Sequence, residues 1–270
     1  MSVSSYLDEL SRGLIIRDEE KESIKRSIAY LKLNLKTWFG QNIEDHFLFG
    51  SYTRGTILPR KADEGSDIDF MVVFKNADGL KPQTFLDRLR KFVENYYPNS
   101  FIRQSHPTIV LELSHIKFEL VPAYQDITNK LLGGYLIPSR SSGYTEWLRT
   151  NPTEFDKAVN IKNQENYSKI KPVIRLIKYW NANVKVLSSY ELENKIINQY
   201  YFFCTNTKDY FYKAFETIDY QWNDSQTKKN KIDKAITTLK TIKEYEAKGY
   251  SKEAEELLKT LLPPTNTLRR

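Results

Sequence analysis

Apolar residues keep two rhythms along this chain, and the change from one to the other divides it. From about Asp18 to Gly40, Ile24, Ile28, Leu31, Leu33, Leu35 and Trp38 recur at mostly helical spacing behind an acidic first turn, Asp18-Glu19-Glu20. This predicts one long amphipathic helix that ends at Gly40. HFLFGS is a short apolar run closed by Gly50-Ser51, and IDFMVVF is β-branched and aromatic, so two strands flank the polar loop TRGTILPRKADEG. A further helix is predicted from about Pro82 to Tyr97. TIVLEL and HIKFELVPAY then alternate as neighbouring strands that turn near Ser114-His115. Beyond about Pro152 the spacing becomes helical throughout, in IKPVIRLIKYWNANV, in ELENKIINQYYFF and in the Lys-rich stretch from Lys228 to Lys259.

The pattern therefore predicts an α+β protein: a sheet lobe over residues 1–150 with a long N-terminal helix, and a helical lobe over residues 151–270. No Gly/Ser linker or repeat separates them, so one cleft shared by both lobes is expected to hold the site.

Composition narrows the class without choosing a function. A hydrophobic content of 40% with 18 Tyr, 14 Phe and 4 Trp is enough for a large core and excludes a disordered chain. The opening MSVSSYLDEL lacks a basic stretch followed by an apolar run, and no window approaches eighteen consecutive apolar residues. The expectation is a cytoplasmic protein that does not engage a membrane. The single Cys204 cannot form an internal disulfide, and its aromatic context YYFFC reads as a buried segment. A net charge of +7 suits a protein that handles polyanions, and it becomes specific only if basic residues converge on a groove. His46, His106 and His115 lack metal-ligand spacing and, with one cysteine, make no zinc site. GxxxxGK[ST] does not occur, so the chain is not a P-loop enzyme.

Candidate chemistry lies in the predicted strands. Gly50-Ser51 ends a strand, where glycine permits close backbone approach to a phosphate. In Ser66-Asp67-Ile68-Asp69, strand alternation puts both carboxylates on one face while Ile68 and Phe70 point to the core. Glu119 in KFELV stands likewise opposite Phe118 and Leu120. Singly each feature has an ordinary reading: a turn, a strand-start aspartate, a solvent-facing acid. Together they place carboxylates beside the apolar run FMVVF, where charge needs a counter-ion. Three carboxylates on adjacent strands can hold two Mg²⁺ ions roughly 3.5 to 4 Å apart, the separation used for in-line phosphoryl transfer.

FGSYTRGT, SDIDFMVVF and FELVPAY resemble the Pol-β-type nucleotidyltransferases, specifically the cGAS/DncV-like group whose animal members include cGAS and oligoadenylate synthase. RLIKYWN and LSSYELE resemble the helical-lobe segments by which that group holds nucleotides, and the likeness runs over roughly residues 20 to 220. The resemblance implies a Pol-β-type sheet lobe packed on a helical lobe, with two Mg²⁺ or Mn²⁺ ions bound by Asp67, Asp69 and Glu119. Glu119 would also help deprotonate the attacking ribose hydroxyl. Ser51, after Gly50, would contact the triphosphate, Lys178 and Ser189 would hold it from the helical lobe, and Tyr190 would stack on a base. The implied activity joins ATP, GTP or other triphosphates, with release of pyrophosphate, into a cyclic di- or trinucleotide second messenger. Such products resemble the signals of CBASS antiphage systems, read by a downstream effector; the positive charge also permits an activating RNA or DNA.

Two alternatives stand beside this reading: a transferase acting on an RNA, protein or small-molecule acceptor, and a binding module that has lost the chemistry. The chain departs from the group's pattern in carrying Glu119 where many members have Asp, and in the charged stretch RKADEG ahead of the aspartates. It also lacks the zinc-binding residues of cGAS.

Overall fold

A computed structural model describes residues 2–105, 107–126, 134–139, 141 and 143–265. His106 lies outside the described residues. The chain forms two compact units: one gathers Met1–Ile16, Thr56–Gly65 and Ala158–Arg270, the other Arg17–Gly55 and Ser66–Lys157. These boundaries differ from the contiguous lobes 1–150 and 151–270 drawn from the sequence, because the segment ahead of the long helix, Met1–Ile16, and the loop before Asp67 cluster with the C-terminal helices.

The sheet unit is built on a mixed sheet. Strands β1 (Ile43–Phe49), β2 (Asp67–Phe74), β3 (Phe101–Ser105), β4 (Thr108–Glu112), β5 (Lys117–Gln125), β6 (Tyr135–Pro138) and β7 (Trp147–Thr150) lie in the order β1-β2-β5-β4-β3, with β6 pairing β5 and β7. β1 is antiparallel to β2, and β2 is parallel to β5. The predicted long helix is α2 (Asp18–Phe39), and the predicted helix after β2 is α4 (Pro82–Tyr96), started by Pro82 in its first turn. Phe39 from α2 meets Phe74 and Phe92, and Phe74 meets Phe85 of α4, so these helices cover the sheet face of Ile68, Phe70 and Val72. The opposite face carries Asp67 and Asp69 and then turns apolar, with Met71, Val73, Val121 and Ala123 buried against Phe47, Phe49, Tyr135 and Ile137.

The helical unit contains α1 (Val3–Gly13), most of α5 (Pro152–Glu165), and α6 (Ile170–Val184), α7 (Ser189–Ile197), α8 (Thr207–Phe215), α9 (Gln226–Ala247) and α10 (Ser251–Leu261). The sequence pattern did not announce α1. Its start is a reciprocal Ser2–Ser5 cap, and its Tyr6 hydroxyl donates to the Leu262 carbonyl. Ten of the twelve residues of α6 from Ile170 to Asn181 are buried, only Lys171 and Pro172 being partly open, which makes it the central helix of this unit. The Lys-rich stretch is helical, as read, and forms two helices broken at Gly249 with φ +79°.

Cys204 and its neighbours correct the expectation of a buried YYFFC segment. α7 stops at Ile197, Cys204 is half-buried, and Phe202 and Phe203 are 73% and 99% exposed. Leu192 and Ile196 already fill the inward side of α7, and only Tyr201 of the run turns in, donating from its hydroxyl to the Ile196 carbonyl at 2.8 Å. No described helix is long and apolar enough to cross a membrane.

Candidate active site

The sheet unit brings Gly50, Ser51, Asp67, Asp69 and Glu119 into one neighbourhood. β2 and β5 pair in parallel register with Asp67 opposite Lys117 and Asp69 opposite Glu119, and all four side chains share one face by strand alternation. Asp69 also pairs with Phe49, so Gly50, one residue on, passes directly beside it. Gly50 has φ +80° and ψ −154°, a conformation open essentially to glycine alone. A Cβ there would stand 1.9 Å from Asp69 Oδ2. Glycine is thus required twice, by the backbone turn and by the carboxylate packed against it.

The chain then enters the single turn α3 (Ser51–Arg54), which is pinned from α5. Asp156 accepts from the Thr53 hydroxyl at 2.7 Å and pairs with the Arg54 guanidinium at 2.7 Å, while Arg54 also lies 4.9 Å over the Phe155 ring. Ser51 is buried at the start of this turn.

The carboxylates are crowded. Burial pushes the Glu119 carboxyl up to about 7, helped by the negative charge of Asp67 and a hydrogen bond with it, against the lowering pull of Lys117 and Arg103. The apolar floor beyond Glu119, Val121 and Ala123 on the same strand face, supplies that desolvation. Lys117 Nζ lies 3.3 Å from Asp67 Oδ2 and 3.9 Å from Glu119 Oε1, a positive charge set between two negative ones. An all-oxygen, doubly crowded set of donors fits a hard divalent cation. Among the described residues, no three acidic, His or Cys groups already stand arranged as a metal cluster.

The remaining candidates belong to the helical unit. Lys178 is buried on α6 and donates to Glu193 Oε1 at 3.2 Å, and Glu193, fully buried on α7, also accepts from Thr56 Oγ1 at 2.9 Å. The Lys178 ammonium, which the sequence reading set at a triphosphate, lies here in an ion pair with Glu193 that joins α6 to α7, and Glu193 also holds the segment after α3. Asn181, the last residue of RLIKYWN, accepts from the Val186 and Leu187 amides at 3.1 Å each and donates to the Leu187 carbonyl, which fixes the turn into α7. Ser188 caps α7 by accepting from the Glu191 amide, leaving Ser189 exposed and the Tyr190 ring 62% exposed.

Sequence reasoning missed Lys117, Asp156 and Glu193. The period of two in KFE already put Lys117 on the Glu119 face. Glu193 sits inside the quoted LSSYELE block, but nothing local joins it to Lys178. Asp156 carries no local signal at all.

Residues 1–163 match the Second Messenger Oligonucleotide or Dinucleotide Synthetase domain family, abbreviated SMODS. The chain belongs to this family and is a nucleotidyltransferase of the cGAS/DncV-like group, as the motifs implied. A probable cyclic nucleotide synthase of Bacillus cereus is 28% identical over 243 residues, covering 74% of this chain and 71% of that protein. A cyclic AMP-AMP-AMP synthase of an Acinetobacter species is 26% identical over 182 residues, 64% of this chain and 50% of that protein. The structure of E. coli MS115-1 CdnC with ATP is similar at a TM-score of 0.72 and 12% identity, over 98% of each chain. That of Vibrio cholerae DncV cyclic AMP-GMP synthase with a linear intermediate is similar at a TM-score of 0.72 and 10% identity, over 94% of this chain and 93% of that one. These likenesses bear out the Pol-β-type nucleotidyltransferase fold.

Proposed function

We propose that this chain joins nucleoside triphosphates, with release of pyrophosphate, into a cyclic di- or trinucleotide second messenger, using Asp67, Asp69 and Glu119 as its carboxylate centre. The observation that carries this reading is the Asp69–Glu119 register on β2 and β5 beside a glycine that yields its side-chain space to Asp69. In the reaction a ribose hydroxyl of one nucleotide attacks the α-phosphorus of another, and the bond to the β-phosphate breaks. Two Mg²⁺ or Mn²⁺ ions held by Asp67, Asp69 and Glu119 would acidify that hydroxyl and offset charge on the triphosphate.

The chain's own residues do the positioning. Glu119, beside the apolar floor, would help to accept the hydroxyl proton. Gly50 and Ser51, held by the Asp156 anchor on α3, take the triphosphate. Ser189 adds a hydroxyl from α7, and the exposed Tyr190 ring offers a stacking face for a base. Lys178 would hold the triphosphate from the helical unit, and its pair with Glu193 holds α6 to α7. The product would be read by a downstream effector, as in CBASS antiphage defence, and the excess positive charge leaves room for an RNA or DNA trigger.

The reading is tested by incubating the protein with labelled triphosphates and Mg²⁺ and digesting the products with phosphatase. A small phosphatase-resistant product is expected. Label transferred only to an added RNA, protein or small molecule would replace the cyclase with an acceptor-directed transferase.

A further inference from the structure

The cation already present among the carboxylates belongs to the protein. Lys117 stands on β5 between two acidic register partners, Asp67 on the parallel strand β2 and Glu112 on the antiparallel strand β4. Its ammonium lies 3.3 Å from Asp67 and 3.9 Å from Glu119, and its side chain is only 11% exposed. Two carboxylates on one sheet face, over an apolar floor, repel each other unless a positive charge lies between them. A divalent ion that takes oxygens from Asp67 and Glu119 must claim the charge that Lys117 now neutralises. Both cations cannot keep the same oxygens at close range, since like charges a few ångströms apart in a partly buried site oppose each other.

We infer that Lys117 is a built-in counter-ion of the carboxylate centre, holding Asp67 and Glu119 together in the metal-free protein and yielding to a divalent ion, so that it sets the concentration at which the centre loads. Glu112 is the register neighbour of Lys117 on the far side, on β4. One lysine offsets part of the charge of the two carboxylates when no ion is bound, and the divalent ion takes over that part when it binds. Lys117 is then a positioning residue, acting through Asp67 and Glu119. The inference rests on the metal-binding role proposed above for those two residues.

Lys117→Met keeps the length and apolar stem while removing the charge, and Lys117→Arg keeps the charge. Mn²⁺ binding to the nucleotide-free proteins, followed by the loss of the free-ion electron paramagnetic resonance signal, should tighten roughly fivefold or more in Lys117→Met, the effect of removing a partly buried ion pair's competition. In EDTA the same variant should melt below wild type, and saturating Mn²⁺ should close that gap. Lys117→Arg should follow wild type in both measurements. Should Lys117→Met not fold, acylation of lysines in the wild type decides the matter: Mn²⁺ should raise labelling of Lys117 as its ion pair opens. Equal Mn²⁺ affinity in wild type and Lys117→Met, or labelling of Lys117 indifferent to Mn²⁺, overturns the counter-ion role while leaving the metal site standing. Absence of Mn²⁺ binding in every variant overturns both together.

Discussion

Gly50→Ala puts the closest contact in the site to a direct trial. Two costs follow from the geometry. The backbone at φ +80° and ψ −154° lies where a residue with a Cβ is strained, at roughly 1 to 3 kcal/mol. The added methyl would also stand 1.9 Å from Oδ2 and 2.7 Å from Cγ of Asp69, so the carboxylate itself must move. Backbone strain of that size lowers the melting temperature by roughly 2 to 12 °C in a protein of this length. Displacing a catalytic carboxylate by about 1 Å costs on the order of a hundredfold in rate. Gly55→Ala is the matched control, because Gly55 has φ +70° in the left-handed region but nothing within 4 Å of its would-be Cβ. Differential scanning fluorimetry and initial rates of pyrophosphate release measure the two terms separately. Both variants should lose stability, and only Gly50→Ala should lose most of its rate. Equal rates in the two variants would refute the packing of Asp69 against Gly50 as a catalytic requirement.

Three further outcomes follow from the structure. Because the native Glu119 carboxyl is raised to about 7 from 4.5, the folded metal-free protein binds its proton more tightly than the unfolded chain does. That stability is complete below about 4.5 and is lost as pH rises through about 7; melts in EDTA from pH 5 to about 8 should fall, and Glu119→Gln should flatten the slope. Glu193→Leu strands the buried Lys178 ammonium and should cost about 3 to 5 kcal/mol in chemical denaturation, much of it recovered in Lys178→Met/Glu193→Leu. Full stability in the single variant would mean that the ion pair does not hold α6 to α7. Tyr190→Ala should weaken nucleotide binding by about 1 to 3 kcal/mol of lost stacking with little change in melting temperature, read by isothermal titration calorimetry.

What the sequence disclosed was mostly what is local. Alternation in SDIDF and KFELV placed Asp67, Asp69 and Glu119 on a common face, since period two survives any tertiary context in which the strands pair at all. The long helix α2 was legible from its acidic start and Gly40 stop. Short strands escaped: β3 and β7 lie at the sheet's margins, where no clean alternation is needed, and β6, paired on both sides, has four residues, too few for an alternation to show. α1 is short and begins with serines whose capping role shows only once Ser2 and Ser5 bond to each other. The segment YYFFC misled because aromatic composition stands for burial only when an element faces the core, and here the helix has already ended. Long-range pairs such as Lys178 with Glu193 and Arg54 with Asp156 are set by packing, and composition holds no trace of them.

The central claim is that a carboxylate centre at Asp67, Asp69 and Glu119 makes a cyclic nucleotide. Mass spectrometry of reactions with all four triphosphates and Mg²⁺, run for wild type beside Asp67→Asn/Asp69→Asn, tests it most directly. The wild type should yield masses of a di- or trinucleotide that lack the elements of pyrophosphoric acid relative to the linear 5′-triphosphate chain and carry no terminal phosphate. The double variant, folded and with a melting temperature in EDTA equal to or above wild type, should yield none. The account is contradicted by cyclic product from the folded double variant at a rate near wild type, or by wild-type reactions that contain only linear or acceptor-linked nucleotides.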